Sequence, residues 1–545
     1  METVSLILVM FVTVLASSFF RRMLPDRLPV PLPLLQIMLG AAIGMVSDLR
    51  LQLDPQVFFL LFLPPLLFLD GWRVPKEELA HDRGLVLGLA IGLVVFTVVG
   101  AGYFIHWLIP GIPLGVAFAL AAVISPTDPV AISAIAARVP VPKRLMHIIE
   151  GESLLNDASG LVCLRFAVAA VLTGNFSLSS ALLDFGWVAF GGLLVGGATG
   201  WLINMLKIRI TTHYGEDPGF QTLTSLVLPF LAYLAAEHLH CSGILAAVSA
   251  GFVMSRMEFS GQAKATTRLQ RNAVWDTLQY ALNGLMFVLL GEQLPHIINQ
   301  LGVQDNPDEL LELVGFVALI NLALLALRFV WVFCSLRFTL FAGADARLYT
   351  LAKATHIALA TAVAGVRGAI TLAGVMTLPL YISFGYPFPA RDLAIFLATG
   401  VIILSMLLAG LLLPVLMRNL PVPYEGEEQT RENRARDRAA EAAIKAIEKA
   451  LHELTGQDTE HEAKYIEMAS RITDSYRDRL AGHAASMEVQ KQARISEEIE
   501  RQLWLVALQA ERTELFRLAR TRRLDEQHAR KLVRQIDLIE TRYSR

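Results

Sequence analysis

The stretch Ile124-Ser125-Pro126-Thr127-Asp128-Pro129-Val130 decides the fold. It lies inside an apolar run, 113–137, that is long enough to cross a bilayer, for which about 20 residues are needed. Each of its two prolines removes a backbone donor and clashes with the preceding turn. A continuous helix is not expected there. Unwound backbone at bilayer depth is tolerated only in a protein interior or beside a water-filled cavity. The carbonyls freed by such a break, with the Asp128 carboxylate, are hard oxygen ligands suited to a small cation. The same prolines would also suit a plain kink, so the stretch has to be read with its surroundings.

The surroundings are those of a membrane protein. The 545 residues are 54% hydrophobic and 18% charged, where soluble domains carry about 25% charge. Residues 1–417 hold 23 Lys/Arg and 25 Asp/Glu, whereas the much shorter 418–545 hold 24 and 24. The expected organisation is a membrane domain, 1–417, and a soluble charge-dense tail, 418–545. The boundary falls at Leu420-Pro421-Val422-Pro423-Tyr424, where prolines discourage helix continuation. A net charge of −2 argues against a nucleic-acid partner. Cys163, Cys241 and Cys334 lack the spacing of a zinc site or a disulfide framework. No phosphate-binding loop of the G-x-x-x-x-G-K-[ST] type occurs, so an ion gradient is the expected energy source for any transport.

About thirteen apolar segments are long enough to span: 3–20, 28–47, 54–71, 84–107, 113–137, 145–173, 184–206, 220–239, 241–258, 274–293, 311–336, 354–381 and 393–417. Alternate connections, at 21–27, 72–83, 138–144, 207–219, 255–272 and 337–353, carry 18 Lys/Arg, and the others carry only Arg50 and Arg391. That alternation is what the positive-inside rule asks of cytoplasmic loops. It predicts a multi-pass membrane protein with its N-terminus outside and a cytoplasmic tail.

Ionised side chains at bilayer depth cost about 2.5–3.5 kcal/mol on insertion scales and persist where they pair or function. Asp70, Asp128, Glu152, Asp157, Arg328 and Arg367 all fall within spans, and Arg165 lies nearer an interface. In the sixth span, Ser153 and Asp157 share one helix face, and Glu152 and Asn156 share the next. Asp157 suits either a proton or a metal cation, which is the competition an exchanger needs. In the twelfth span, Gly365 and Gly368 flank Arg367, allowing a second break or a close helix crossing. Glu152 is the expected partner of Arg367. Breaks in corresponding positions of two halves point to a transporter's binding site. The fifth and twelfth spans are seven apart, so the expected fold is all-α, with two inverted repeats, spans 1–6 and 8–13, and crossed broken helices.

The residues Ser125-Pro126-Thr127-Asp128-Pro129, Gly151-Glu152-Ser153-Leu154-Leu155-Asn156-Asp157 and Gly365-Val366-Arg367-Gly368-Ala369 resemble signatures of the sodium/proton exchangers, the NhaP-type antiporters and their animal relatives. Pro64-Pro65-Leu66-Leu67-Phe68 and Ser242-Gly243-Ile244-Leu245-Ala246 fit the same family. The resemblance implies that Asp157 binds the transported Na⁺ (or Li⁺, K⁺) and H⁺. It implies that Asn156 marks the electroneutral branch, that Ser153 ligates by its hydroxyl and Thr127 by its main-chain carbonyl, and that Asp128 sits at the helix crossing. Glu152 and Arg367 would form an ion pair, with Arg328 as a second family arginine. Pro126, Pro129, Gly365 and Gly368 would break the helices. It further implies alternating access, a homodimer in membrane lipid, no cofactor and no enzymatic activity. Many members carry a glutamate directly after the Pro-Pro-x-x-Phe run. Here Leu69 stands in that place and Asp70 follows, a turn of about 100° on a helix. That leaves open the role of Asp70 and the choice among cations.

The tail reads as helices, including 439–454, 495–518 and 524–539, with Leu505, Leu508, Leu515 and Leu518 as a stripe that Trp504 and Phe516 would join. A regulatory or dimerising bundle is expected, and a bound regulator is the sharper alternative, with His452, His461, His483 and His528 as candidate titrating groups. The competing classes are an ion channel and a receptor signalling through the tail.

Overall fold

The computed structural model describes residues 2–24, 30–46, 55–73, 88–128, 143–173, 178–258, 264–301, 307–335, 351–382, 386–417, 425–455, 462–484, 487–521, 524 and 526–543. Pro129, His461, the run 420–424 and most of the basic loops 72–83, 138–144 and 337–353 lie outside them. The described residues are helical almost throughout, with one isolated bridge between Tyr381 and Pro387. That is what lipid demands, because a helix satisfies its own backbone hydrogen bonds.

The chain divides into two compact units, Met1–Leu420 and Pro421–Arg545. In the first, α1 is Glu2–Met23, α2 Leu32–Val46, α3 Pro55–Arg73 and α4 Gly88–Leu108, the last opening with a π-helical turn over Gly88–Leu93. Next come α5 (Leu114–Ile124), α6 (Lys143–Thr173), α7 (Leu178–Tyr214), α8 (Pro218–His238) and α9 (Gly243–Glu258). The rest are α10 (Ala265–Gln300), α11 (Pro307–Ser335), α12 (Leu351–Val363), α13 (Ala369–Met376) and α14 (Arg391–Met417). Among the described residues, six helices are each long and apolar enough to cross a membrane.

Two expected spans are not single helices. The segment expected over 113–137 is helical to Ile124 and unwound over 125–128, its remainder lying outside the described residues, and the one over 354–381 is the pair α12 and α13. Two others run past their apolar windows: α7 covers Leu178–Tyr214 where 184–206 was expected, and α10 covers Ala265–Gln300 where 274–293 was expected. The added turns at the C-terminal end of α7 and the N-terminal end of α10 carry Lys207, Arg209, Arg268 and Arg271, and a helix needs no apolar face once it leaves the lipid.

The membrane helices pack in two groups. In one, α2 lies along α10, and α9 lies along α3, α7 and α8. In the other, α4, α5 and α6 pack together, and α11 lies against α4, α12 and α14. The groups meet where α10 touches α13 and α14, and where α3 touches α13 and α6. Close approaches inside each group use glycine, as membrane helix packing favours. A Cβ on Gly40 would strike the Val288 carbonyl, and one on Gly291 that of Ile37, locking α2 to α10. Gly196 stands in the same relation to Ala246, and Gly251 to Phe68. In the second group, Gly160 of α6 meets the Pro126 ring and the Ala122 carbonyl of α5.

In the second unit, α15 (Glu425–Thr455) packs on α16 (Glu462–Ala484), and α17 (Met487–Arg520) packs on α18 (Glu526–Tyr543). Leu508, Val533 and Ile536 are buried between the second pair, which Arg512 ties together by pairing with Asp537 and Glu540. Trp504 and Phe516 do not join this core: they are 42% and 41% exposed.

Candidate cation site

The site is built on two chain breaks that hold each other. Helix α5 ends at Ile124, where Pro126 has no amide to carry the hydrogen-bond ladder onward. Facing it, α12 ends at Val363, and α13 begins only at Ala369. The Asp128 N–H donates to the Val366 carbonyl at 2.7 Å, joining one break to the other. Arg367 donates from Nη1 to the Ser125 carbonyl and, at 2.9 Å, to that of Pro126. The guanidinium thus caps carbonyls that the break leaves without helical donors. Gly368 lies so near Asp128 that a Cβ would overlap its carboxylate, and a Cβ on Gly365 would meet the Arg328 side chain at 2.7 Å.

Helix α6 passes this crossing with Glu152, Ser153, Asn156 and Asp157 all buried. The Ser153 hydroxyl donates to the Thr127 main-chain carbonyl at 2.5 Å, which brings together the two oxygens the sequence singled out as ligands. Asn156 Nδ2 donates to Thr127 Oγ1 at 2.9 Å and to Glu152 Oε1 at 3.5 Å. That fixes the amide with its oxygen buried and, among the described residues, without a hydrogen-bond partner.

The expected pairing of Glu152 with Arg367 is corrected by the geometry. Glu152, fully buried, is held by Arg328 in a two-pronged pair: Nη1 to Oε1 at 2.5 Å and Nη2 to Oε2 at 2.8 Å. Arg328 Nε also donates to the Thr361 carbonyl at 3.1 Å. Arg367 is occupied by the carbonyls of α5, and its own N–H donates to Ser405 Oγ at 3.1 Å. The reason is reach: Arg328 rises from α11 onto the Glu152 side of α6, while Arg367 lies inside the α12–α13 break.

Asp157, 2% exposed, looks onto a cavity with Asp70, Thr127, Asp128, Pro126 and Gly368. Its water-accessible volume is about 30 Å³, room for a small cation or a couple of water molecules. The one-residue displacement of the acid on α3 now has a structural reading. Leu69 is turned into an apolar cluster with Phe68, Trp72 and Trp275, while Asp70 lines the cavity. Gln279 and Asn283 of α10 and Thr371 of α13 also line it and were not singled out from the sequence. Their signal was present: two amides four residues apart in an apolar span share one helix face.

The family profile described as "Sodium/hydrogen exchanger, transmembrane" matches residues 8–419. A protein of Escherichia coli named as an uncharacterized Na⁺/H⁺ exchanger is 40% identical over 99% of this chain and 98% of its own length. The chain belongs to the sodium/hydrogen exchanger family. It is thus a multi-pass membrane protein of a cation/proton antiporter family. The chain is also 35% identical to a sodium, potassium, lithium and rubidium/H⁺ antiporter of Bacillus pumilus, over 100% of this chain and 78% of the relative. Its fold matches that of the sodium proton antiporter MjNhaP1 of Methanocaldococcus jannaschii, with a TM-score of 0.59 at 18% identity, over 77% of this chain and 99% of that one.

Proposed function

We propose that this exchanger is a secondary antiporter that trades Na⁺ for H⁺ at Asp157 by alternating access, one charge for one charge. The observation that carries the reading is a buried Asp157 facing a cavity at the crossing of two broken helices. Glu152 has its charge matched by Arg328 and Asn156 is neutral, so Asp157 is the carboxylate of the α6 set left to alternate between proton and cation. That supports an electroneutral exchange. The Ser153 hydroxyl and the Thr127 carbonyl are in contact, so both oxygens face one point, and an ion held by both would require the hydroxyl hydrogen to turn away and the two oxygens to part. The two helix groups, each drawing helices from both of the expected inverted repeats, would move against each other, exposing Asp157 to either side. Loop charges favour a cytoplasmic tail in a bacterial inner membrane, and the family fold favours a homodimer. The tail is read as regulatory or dimerising.

The printed name of the Bacillus pumilus relative favours a second reading of the same site, in which K⁺ and Li⁺ are also carried. One experiment tests both. Purified protein in vesicles with an internal pH dye is given Na⁺, Li⁺ or K⁺ in turn. Wild type should move protons against each carried cation, and Asp157→Asn should not. Undiminished exchange by Asp157→Asn sinks the assignment, and current driven by voltage alone would make the protein a channel.

A further inference from the structure

The cavity facing Asp157 has two kinds of wall. Pro126, Thr127, Asp128, Asp157, Gly368 and Thr371 belong to the group that contains α5, α6 and α13, whereas Asp70, Gln279 and Asn283 belong to α3 and α10 of the other group. Helix α10 is bound to its own group through α2, α1 and α8, and α2 is keyed to it by Gly40 and Gly291. The Asp157 helix packs instead on α4 and α5. In this arrangement an ion at Asp157 therefore meets α10 across the cavity.

Gln279 and Asn283 are one turn apart on the face of α10 that lines the cavity. They are half-buried amides in a segment otherwise rich in buried Leu, Met, Phe and Val. Gln279 Oε1 accepts from Arg73 Nη1 at 3.0 Å, and Arg73 also pairs with Asp276, so a charged cluster fixes that amide at the cavity's edge. An amide oxygen is a hard, neutral ligand. It serves a partly dehydrated alkali cation without adding a charge that would compete for the proton.

We propose that Gln279 and Asn283, with Asp70, form the stationary half of the cation's ligand shell. They are met only when Asp157 faces this cavity, and they set cation preference and affinity on that side alone. The proposal rests on the antiport reading of Asp157. It treats Asn283 as the direct or water-bridged ligand and Gln279 as a positioning residue held by Arg73.

The test is cation-dependent proton flux in proteoliposomes of known orientation, with Na⁺, Li⁺ and K⁺ titrated separately on each side. For Asn283→Ala, the half-saturating cation concentration should rise about tenfold, the equivalent of about 1.4 kcal/mol, on the side to which the cavity opens. The ranking of the three cations should change there and hold on the other side. Asn283→Asp, which restores an oxygen, should recover affinity. Arg73→Ala, which frees Gln279, should shift the cation ranking on the same side. Equal shifts on both sides, or none, overturn the proposal, as does loss of exchange at every cation concentration in a folded Asn283→Ala protein. Wild-type liposomes run alongside: no exchange by wild type overturns the antiport reading and this proposal with it, whereas wild-type exchange with unshifted variants overturns only the role given to α10.

Discussion

The exchange of partners around Glu152 makes a quantitative prediction. Arg328→Met leaves the Glu152 carboxylate buried, with only Thr127 Oγ1 at 3.3 Å and Asn156 Nδ2 at 3.5 Å still donating to it. Both are neutral and both are long, so they replace little of a two-pronged guanidinium contact. Removing one member of a buried pair costs about 3–5 kcal/mol, chiefly because the other charge stays uncompensated. Removing both should cost much less, since two desolvated charges then vanish together. A double-mutant cycle isolates the coupling. Reversible unfolding of the purified protein, followed by a fluorophore in the membrane unit, would give the four stabilities. Arg328→Met should lose about 3 kcal/mol or more, and Glu152→Leu added to it should restore most of that. The parallel cycle of Glu152 with Arg367→Met should show the smaller coupling, because Arg367 spends its donors on Ser125 and Pro126. A larger coupling to Arg367 than to Arg328 would refute the reasoning.

Three further outcomes are expected. Gly368→Ala should abolish proton flux while leaving a monodisperse, folded protein, because the added methyl displaces the Asp128 carboxylate from the crossing; unchanged flux in vesicles would contradict it. Gly196→Leu should cut the yield of folded protein sharply, since its side chain would press on the Ala246 backbone and overpacking costs about 1–3 kcal/mol even where atoms can yield; normal elution and melting would count against the close contact. Glu216 lies between α7 and α8 and accepts the Lys264 N–H at 2.9 and 3.1 Å. Partial desolvation pushes its carboxyl up, but its hydrogen bonds and the charges of Lys264 and Arg268 outweigh this and hold it below its ordinary value of 4.5. The contact therefore adds stability above pH 4.5 and loses it as pH falls through the lowered value. Amide exchange at Lys264 should accelerate below that point, and Glu216→Gln should remove the pH step.

Much of the site could be read from the residues because local covalent chemistry produced it. Pro126 breaks α5 through a missing N–H, and Gly365 and Gly368 mark the facing break. Ser153 with Asp157, and Glu152 with Asn156, share faces by helical geometry alone. The partner of Glu152 was another matter, since it depends on which of two arginines on separate helices reaches it, and sequence spacing carries no such distance. The same holds for Asp70: nothing local says that Leu69 would find Phe68 and Trp275 and so turn the acid to the cavity. Gln279 and Asn283 went unnoticed because amides cost less than charges in an apolar span and stand out less. Helix ends were misjudged in α7 and α10 for a related reason, as hydropathy follows the lipid and not the backbone.

The glycine contacts carry a mechanical consequence. A helix pair whose backbones touch along glycines is held in close contact, since a rotation of either helix would bring a side chain to the seam. Gly40 and Gly291 thus bolt α2 to α10, Gly196 and Gly251 bolt α7 and α3 to α9, and α8, packed on both α9 and α10, joins the two sets in one frame. Gly160 is a bolt of the same kind, but it fastens α6 to α5. Among the described residues, none of these bolts crosses from one group to the other. On the proposed alternating-access reading, a displacement that carries Asp157 would carry Thr127 and Asp128 with it, so the cargo would travel in an intact cup, leaving behind only the wall supplied by the frame.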